Sequence, residues 1–163
     1  MSWTTTIWSM AAGASLTFAC IHLLAWLRER DALANLFFSI SAMAAAVLAM
    51  QESAVMRAQT PADFSETLRW MHLSAALLVI AIVWFIYFHL KTGRLWLAWL
   101  ITSLRLLILI ANFFLYPNAT FQEIHALREV FFLGETLSAP VGEMNPWRYL
   151  IHLTTILLLI YVL

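Results

Sequence analysis

Five apolar stretches, separated by short charged segments, fill almost the whole of this chain. A bilayer core about 30 Å thick needs about 20 mostly apolar residues of helix at 1.5 Å per residue, and four of the five stretches meet or nearly meet that length. The pattern predicts an all-α fold: a single polytopic membrane helix bundle over 1–163 with five transmembrane helices. The predicted spans are 7–27, 33–50, 64–90, 95–116 and 147–163, and residues 117–146 form an outer loop.

The composition agrees with a bundle in lipid. The chain is 63% hydrophobic and 11% charged, whereas a soluble domain is about 25% charged. Its net charge is zero, so nothing favours nucleic acid as a partner. The single cysteine, Cys20, lies inside the first apolar stretch and cannot build a disulfide framework. We interpret Cys20 as a small packing residue. The composition as a whole makes the lipid bilayer the first expected partner.

The basic residues of the short loops predict the orientation. Arg28 and Arg30 follow the first stretch, and Lys91 and Arg94 follow the third. Short loops rich in Lys and Arg stay on the cytoplasmic side. We therefore expect the amino terminus outside and the carboxyl end in the cytoplasm. The last stretch is still apolar at Leu163, with no basic stop signal, so we expect the chain to be cut from a longer protein, with the missing part on the cytoplasmic side.

Polar side chains within the apolar stretches are the candidates for function. The sequence has no phosphate-binding glycine loop, no His-Glu-x-x-His helix and no serine elbow, so it assigns no catalytic residue. Polar groups cost free energy in lipid and usually face a bundle interior. The clearest is Arg105, near the middle of the fourth stretch. Glu52, at the outer end of the second stretch, is a candidate acidic partner for it.

Three more polar side chains are expected at one level in the outer half of the bundle. His72 and His152 lie on helices predicted to run inward, and Asn112 lies on a helix predicted to run outward. Glu123 and His125 belong to the outer loop above that level. Together these residues predict an outward-opening pocket. Its candidate ligand-binding residues are Glu52, His72, Arg105, Asn112, Glu123, His125 and His152.

Three interpretations of this cluster stay open. The polar groups would serve as hydrogen-bonded packing between helices, as a site for a small ligand, or as ligands of haem or a metal. His72 and His152, on different helices at equal depth, would be the haem or metal ligands. Methionines near the outer face would add thioether ligands that suit copper: Met50, Met56, Met71 and Met144.

The outer loop is too long and too apolar to be a simple connection. Loops beyond about 12–15 residues are usually functional or disordered. Residues 120–129 have the period of a short amphipathic helix, with Thr120 as a possible cap and Glu123 three residues on. Residues 132–141 are predicted to form a small hairpin around Gly134. We expect this loop to fold as a lid over the outer end of the bundle.

Four short motifs resemble one class of protein. They are Thr-Gly-Arg-Leu-Trp-Leu-Ala-Trp at 92–99, Pro-Asn at 117–118, Leu-Gly-Glu at 133–135 and Asn-Pro-Trp at 145–147. With the runs around them, the chain from about residue 8 onward resembles the amino-terminal membrane region of bacterial sensor proteins. In those proteins, cytoplasmic PAS-type and histidine-kinase modules follow the membrane region.

The resemblance implies a sensory input region in the bacterial inner membrane. Such a region would detect a small-molecule ligand or a membrane-borne cue at an outer-leaflet pocket and pass a helix rearrangement to a cytoplasmic kinase output module. A homodimer is expected on the same ground, and any histidine-kinase activity would lie outside these 163 residues.

The main alternative is a small subunit of a membrane electron-transfer or transport complex, either haem- or metal-carrying or purely structural. A haem-carrying subunit would show a Soret band that depends on His72 or His152. A structural subunit would fail to stay folded without its partners. These outcomes separate the alternative from a sensor.

Overall fold

The computed structural model describes residues 2–91, 94–132 and 134–163. Five α-helices and one two-stranded antiparallel sheet lie within these ranges. The helices are α1 (Trp3–Arg28), α2 (Leu33–Val55), α3 (Pro61–Leu90), α4 (Leu95–Phe114) and α5 (Arg148–Val162), and strands β1 (Phe121–Phe132) and β2 (Glu135–Met144) lie between α4 and α5.

Four helices, α1 to α4, are long and apolar enough to cross a membrane. The predicted long apolar helices are thus confirmed for the first four spans, and they are compatible with a helical membrane protein. The fifth predicted span corresponds to α5, which has 15 residues and is the shorter apolar helix of the described chain. That length falls below the range of about 17–25 residues typical of a spanning helix.

The chain is 72% helical but not all-α, because the outer loop contains a hairpin. The helix predicted over 120–129 is wrong, since these residues belong mostly to β1. Two register shifts in the β1–β2 ladder, at Phe121/Glu123 and Ile124/Ala126, explain the error. Each bulge adds a residue, so the side chains that turn inward are spaced by three, as on a helix. Phe121, Ile124 and Leu127 are accordingly the less exposed residues of this stretch.

The turn predicted at Gly134 is confirmed. Gly134 has φ of 86°, in the left-handed region that favours glycine, and Phe132 pairs with Glu135 across the turn. The preceding Leu133 lies outside the described residues. The strands of this hairpin extend well beyond the predicted 132–141, and β1 and β2 together are called the hairpin below.

The helices pack in chain order. The contacts run from α1 to α2, α2 to α3, α3 to α4 and α4 to α5, and α3 also contacts α5 and β1. α3 is therefore the central helix. Two apolar clusters mark its two ends. The end of the bundle away from the hairpin is called the far end, and the cluster there contains Val79, Val83, Ile86, Leu97, Ala98, Ile101 and Tyr161. The cluster at the hairpin end contains Val55, Ala58, Phe64 and Met71, with Ile124 and Leu127 of β1 packed against it.

Local sequence signals set the bounds of α3. The Thr60 side chain accepts a hydrogen bond of 3.1 Å from the backbone N–H of Asp63, and Pro61 occupies the first helical position. Both are typical of a helix start. At the other end, Lys91 has φ of 50°, a left-handed conformation that ends the helix. The 30 residues between give α3 the length to cross a bilayer and project beyond it.

Small side chains bring α1 and α2 together. Ala19 is fully buried, and the Ser39 hydroxyl donates a hydrogen bond of 2.8 Å to its carbonyl oxygen. A ring nitrogen of His22 lies 2.9 Å from Oδ1 of Asn35. Within lipid, small residues let helices approach closely and interhelical hydrogen bonds add to their association. The buried alanines of α2 are Ala42, Ala44, Ala46 and Ala49.

Candidate functional site

Two buried asparagines hold the base of the hairpin to the bundle. Asn118 is 0% exposed, and its Oδ1 accepts hydrogen bonds of 3.0 Å from the backbone N–H groups of Thr120 and Phe121. Its Nδ2 donates to the Ser65 hydroxyl of α3 at 3.2 Å. Nδ2 of Asn145 donates to the Asn118 carbonyl oxygen at 3.3 Å. Strand β1 and the end of β2 are therefore fastened to each other and to α3.

Asn145 also sets the start of α5. Its backbone N–H donates to the Thr120 carbonyl at 2.9 Å, and its Oδ1 accepts from the backbone N–H of Trp147 at 3.1 Å. Only Pro146 and Trp147 separate it from the first residue of α5. The hairpin base is thus joined directly to the first turn of α5.

The structure brings two of the predicted site residues, His72 and Asn112, to this hairpin base. Nε2 of His72 lies 2.9 Å from the hydroxyl of Thr120. Asn112 is 0% exposed and bridges two elements, because its Nδ2 donates to the Arg69 carbonyl at 3.0 Å and its Oδ1 accepts from the backbone N–H of Ala119 at 3.0 Å. Both side chains join the helices to the segment that enters β1.

The middle and the tip of the hairpin have their own attachments. The backbone N–H of Ser138 donates to the Met56 carbonyl at 2.9 Å, and its hydroxyl donates to the Ala58 carbonyl at 2.6 Å, both in the α2–α3 connection. At the tip, the Glu135 carboxylate accepts from the hydroxyl of Ser2 at 2.6 Å. It also accepts from the hydroxyl of Thr4 at 2.5 Å.

The Glu135 carboxylate caps the amino end of α1 from outside that helix. Besides the two hydroxyls, it accepts hydrogen bonds from the backbone N–H groups of Trp3 and Thr4. Partial desolvation opposes its ionisation, but the bonds from Ser2, Thr4 and Trp3 outweigh that effect and hold the pKa of the Glu135 carboxyl below its ordinary value. The rings of Trp3 and Phe132 add a contact with centroids 6.0 Å apart.

A cleft opens at the hairpin end, between the start of α3 and the end of α4, and is called the outer cleft because it borders the predicted outer loop. Its larger part is a cavity of about 460 Å³ between α3 and the end of α4. A smaller part of about 290 Å³ continues toward β1, shares Ser65 and Tyr116 with the first, and includes the predicted site residue Glu123. The larger part is lined by Ala62, Ser65, Glu66, Arg69, Trp70, Phe113, Tyr116 and Pro117.

Arg105 is 6% exposed and lies on the α4 face that meets α5. Its Nη2 donates to the Thr155 hydroxyl at 3.1 Å, while its Nε has no hydrogen-bond partner among the described residues. No carboxylate of the described chain lies within 4.0 Å of the guanidinium, so Glu52 does not pair with it in this structure. The contact links the middles of α4 and α5.

The remaining predicted residues lie apart from the hairpin base. Glu52 is half-buried near the end of α2. On the outer surface of β1, Nδ1 of His125 lies 3.4 Å from the carboxylate of Glu123, with side chains that are 49% and 68% exposed. His152 is exposed on α5, and its imidazole forms no hydrogen bond with a described side chain or backbone group. The predicted level therefore assembles His72 and Asn112 but not His152.

A metal centre is not assembled by the described residues, in which no three His, Cys, Asp or Glu side chains converge. Haem needs fewer protein ligands, but the two histidines predicted for it face different surroundings. His72 is half-buried against Thr120, and His152 is exposed on α5.

Several residues of the site escaped the sequence reasoning. Asn118, Glu135 and Asn145 carry the hairpin attachments, and Arg69 and Trp70 line the outer cleft. The first three do lie in the Pro-Asn, Leu-Gly-Glu and Asn-Pro-Trp motifs. The motifs were therefore a usable signal for the positions, although not for what the side chains contact. Comparison of the chain with protein-family models, with curated proteins and with solved structures finds no match.

Proposed function

We propose that this chain is the membrane sensory region of a signalling protein. In this proposal, a small ligand or membrane-borne cue binds at the hairpin end and changes how the hairpin sits on the helices. The change reaches α5 and, through α5, a cytoplasmic kinase-type output module. The bacterial inner membrane, the homodimer and the PAS or kinase module come from the resemblance stated above.

One observation carries the proposal: the hairpin touches helices at opposite ends of the packing order. Its tip binds the first turn of α1 through Glu135, its middle binds the α2–α3 connection through Ser138, and its base is joined to α5 through Asn145. A cue acting on any of these attachments has a covalent or hydrogen-bonded route to the first turn of α5. A ligand shifts a conformational equilibrium when it binds one arrangement better than the other.

The distribution of basic residues supports the orientation in this proposal. Arg28 and Arg30 follow α1, and Lys91 and Arg94 lie around the α3–α4 connection. These two connections are at the far end of the bundle, opposite the hairpin. By the preference of basic short loops for the cytoplasm, the far end faces inward and the hairpin faces outward.

Distance measurements between spin labels test the proposal. Labels at Leu90→Cys and Leu163→Cys, on a Cys20→Ser background, report the separation of α3 and α5 at the far end, where both side chains are exposed. Releasing the base by Asn145→Ala should shift or broaden this distance distribution. Glu143→Gln, on an exposed residue of the same hairpin, should leave it unchanged.

An unchanged far-end distance in Asn145→Ala, with faster hydrogen exchange in the hairpin to show that it is released, would contradict the proposal. An absorption spectrum with iron and copper analysis separates the alternative subunit. A Soret band lost in His72→Ala, or stoichiometric metal, would favour a cofactor-carrying subunit. A colourless, metal-free protein that folds alone is the result expected for the sensory region.

A further inference from the structure

We propose that the outer cleft binds the headgroup of a zwitterionic phospholipid, with its phosphate at Arg69 and its ammonium group toward Glu66. This inference names the membrane-borne cue of the proposed function and rests on that proposal for its signalling consequence. The position, the charges and the aromatic walls of the cleft support the binding.

The position of the cleft matches the headgroup layer. α3 has 30 residues and is about 45 Å long at 1.5 Å per residue, whereas the hydrocarbon core is about 30 Å thick. Its first turns therefore project beyond the hydrocarbon. Glu66 and Arg69 lie in the second and third turns of α3, so the cleft opens near the level where phosphates and ammonium groups of lipids reside.

The cleft carries one charge of each sign on one helical face. Glu66 and Arg69 are three residues apart and both line the cavity. Neither forms an ion pair with another described residue. Nη2 of Arg69 is used by the Leu115 carbonyl at 2.8 Å, which orients the guanidinium and leaves its other Nη hydrogens for a ligand. A planar guanidinium is well suited to phosphate oxygens.

Aromatic rings complete the walls. Trp70 and Phe113 meet edge to face with centroids 5.5 Å apart, and they are 48% and 41% exposed. Tyr116 is 88% exposed at the rim. Aromatic rings favour the membrane interface and attract ammonium groups through their faces. These rings suit a ligand that combines a cation with an apolar chain.

An apolar path continues from the cleft along α4. Phe113, Ile110 and Leu106 are spaced at three and four residues, so they lie on one helical face, and they are 41%, 57% and 45% exposed. An acyl chain attached to a headgroup in the cleft can run along this face into the hydrocarbon. A free phosphate or a soluble headgroup would make no use of it.

Native mass spectrometry of the detergent-purified chain with added lipid tests the inference. The probes are phosphatidylethanolamine, which has a phosphate and an ammonium group, and phosphatidylglycerol, which has a phosphate but no ammonium group. Arg69→Gln should weaken binding of both lipids about tenfold or more, because a charge-assisted hydrogen bond is lost. Glu66→Gln should weaken phosphatidylethanolamine severalfold and spare phosphatidylglycerol. Arg128→Gln and Glu143→Gln are the matched controls on exposed hairpin residues.

Glu66 is exposed and forms no described ion pair, so Glu66→Gln keeps the test valid even if Arg69→Gln fails to fold. Equal binding of phosphatidylethanolamine by wild type and Glu66→Gln would overturn the inference. Soluble glycerophosphoethanolamine that binds as tightly as the lipid would overturn the lipid as its source. The mass-spectrometry assay measures lipid binding without measuring movement of α5, and the spin-label experiment measures movement of α5 without added lipid. Failure of the lipid site is therefore distinguishable from failure of the proposed sensory function.

Discussion

Replacing Asn118 by Ala should destabilise the fold more than any other change at the hairpin base. The substitution removes the acceptor of two backbone N–H groups, those of Thr120 and Phe121, and the donor to the Ser65 hydroxyl. A buried donor left without a partner costs about 1–3 kcal/mol. Phe121 is 5% exposed, so its backbone N–H incurs the full cost of losing its acceptor. Thr120 is half-buried, so its backbone N–H recovers part of that cost by bonding to water. The expected loss in unfolding free energy is about 2–4 kcal/mol.

Equilibrium unfolding in mixed micelles measures this loss. The chain has eight tryptophans, so their fluorescence follows the transition as the fraction of denaturing detergent rises. Ser65→Ala removes the hydroxyl end of one of the three bonds and should cost about 1 kcal/mol. Asn35→Ala, which loses a single bond to His22 at the other end of the bundle, controls for the change of Asn to Ala.

Comparing the three variants shows whether Asn118 stabilises the fold through its hydrogen bonds to the backbone. The hydrogen-bond geometry predicts that Asn118→Ala loses at least twice the free energy of either control. If Asn118→Ala and Ser65→Ala unfold at the same detergent fraction, the two backbone N–H groups do not depend on the asparagine, and the reasoning is refuted.

Three other outcomes are expected. Gly142→Ala should loosen the hairpin, because a Cβ there would lie 2.0 Å from a backbone oxygen of β1. In Gly13→Ala the added Cβ meets nothing within 4 Å, so α1 should gain stability of up to about 1 kcal/mol, and hydrogen exchange of the two variants measures both effects. Thr155→Val should cost about 1–3 kcal/mol in the same unfolding assay by leaving Arg105 without its described acceptor, and an unchanged midpoint would contradict that role. Because the pKa of Glu135 is depressed in the fold, its contribution is present at neutral pH and is lost as the pH falls below the ordinary glutamate pKa of about 4.3. The protection of the first-turn amides of α1, corrected for the intrinsic slowing of exchange in acid, should therefore fall with acid in wild type and stay constant in Glu135→Gln.

The membrane helices were predictable because their signal is strong and local. A long apolar run satisfies its backbone hydrogen bonds within one helix, so length and hydropathy alone locate it. The predicted spans agree with α1 to α4 to within a few residues at most ends, with α1 beginning at Trp3 and α2 extending to Val55. Such runs say little about which helices touch, and the packing order came from the structure.

The turn of the hairpin was predicted, but its length was not, because bulges disguise the first part of β1 as a helix. The inward residues Phe121, Ile124 and Leu127 are spaced by three, which is the usual mark of a helix face. Only the cross-strand register reveals the two added residues. The partner strand β2 is needed to see it, and a pattern read along one segment cannot supply that partner.

The sequence named two of the residues at the hairpin base. Depth along each helix put His72 and Asn112 near one predicted level, and both contact the segment leading into β1. Depth does not give the rotation of a helix, which is why His152 was grouped with them and is exposed in the structure. Arg105 was recognised as a buried cation, but its Thr155 partner lies 50 residues away and has no sequence signature.

In the proposed function, the hairpin transmits a change at α1 to α5. Hydrogen exchange in wild type and Glu135→Gln tests this transmission, because the hydrogen bonds of the Glu135 side chain to described residues join it to Ser2 and the first turn of α1. Faster exchange at residues 145–150, with Glu143→Gln behaving as wild type, is the predicted result. A change confined to the first turn of α1 and the hairpin tip, with residues 145–150 unaffected, would contradict the claim.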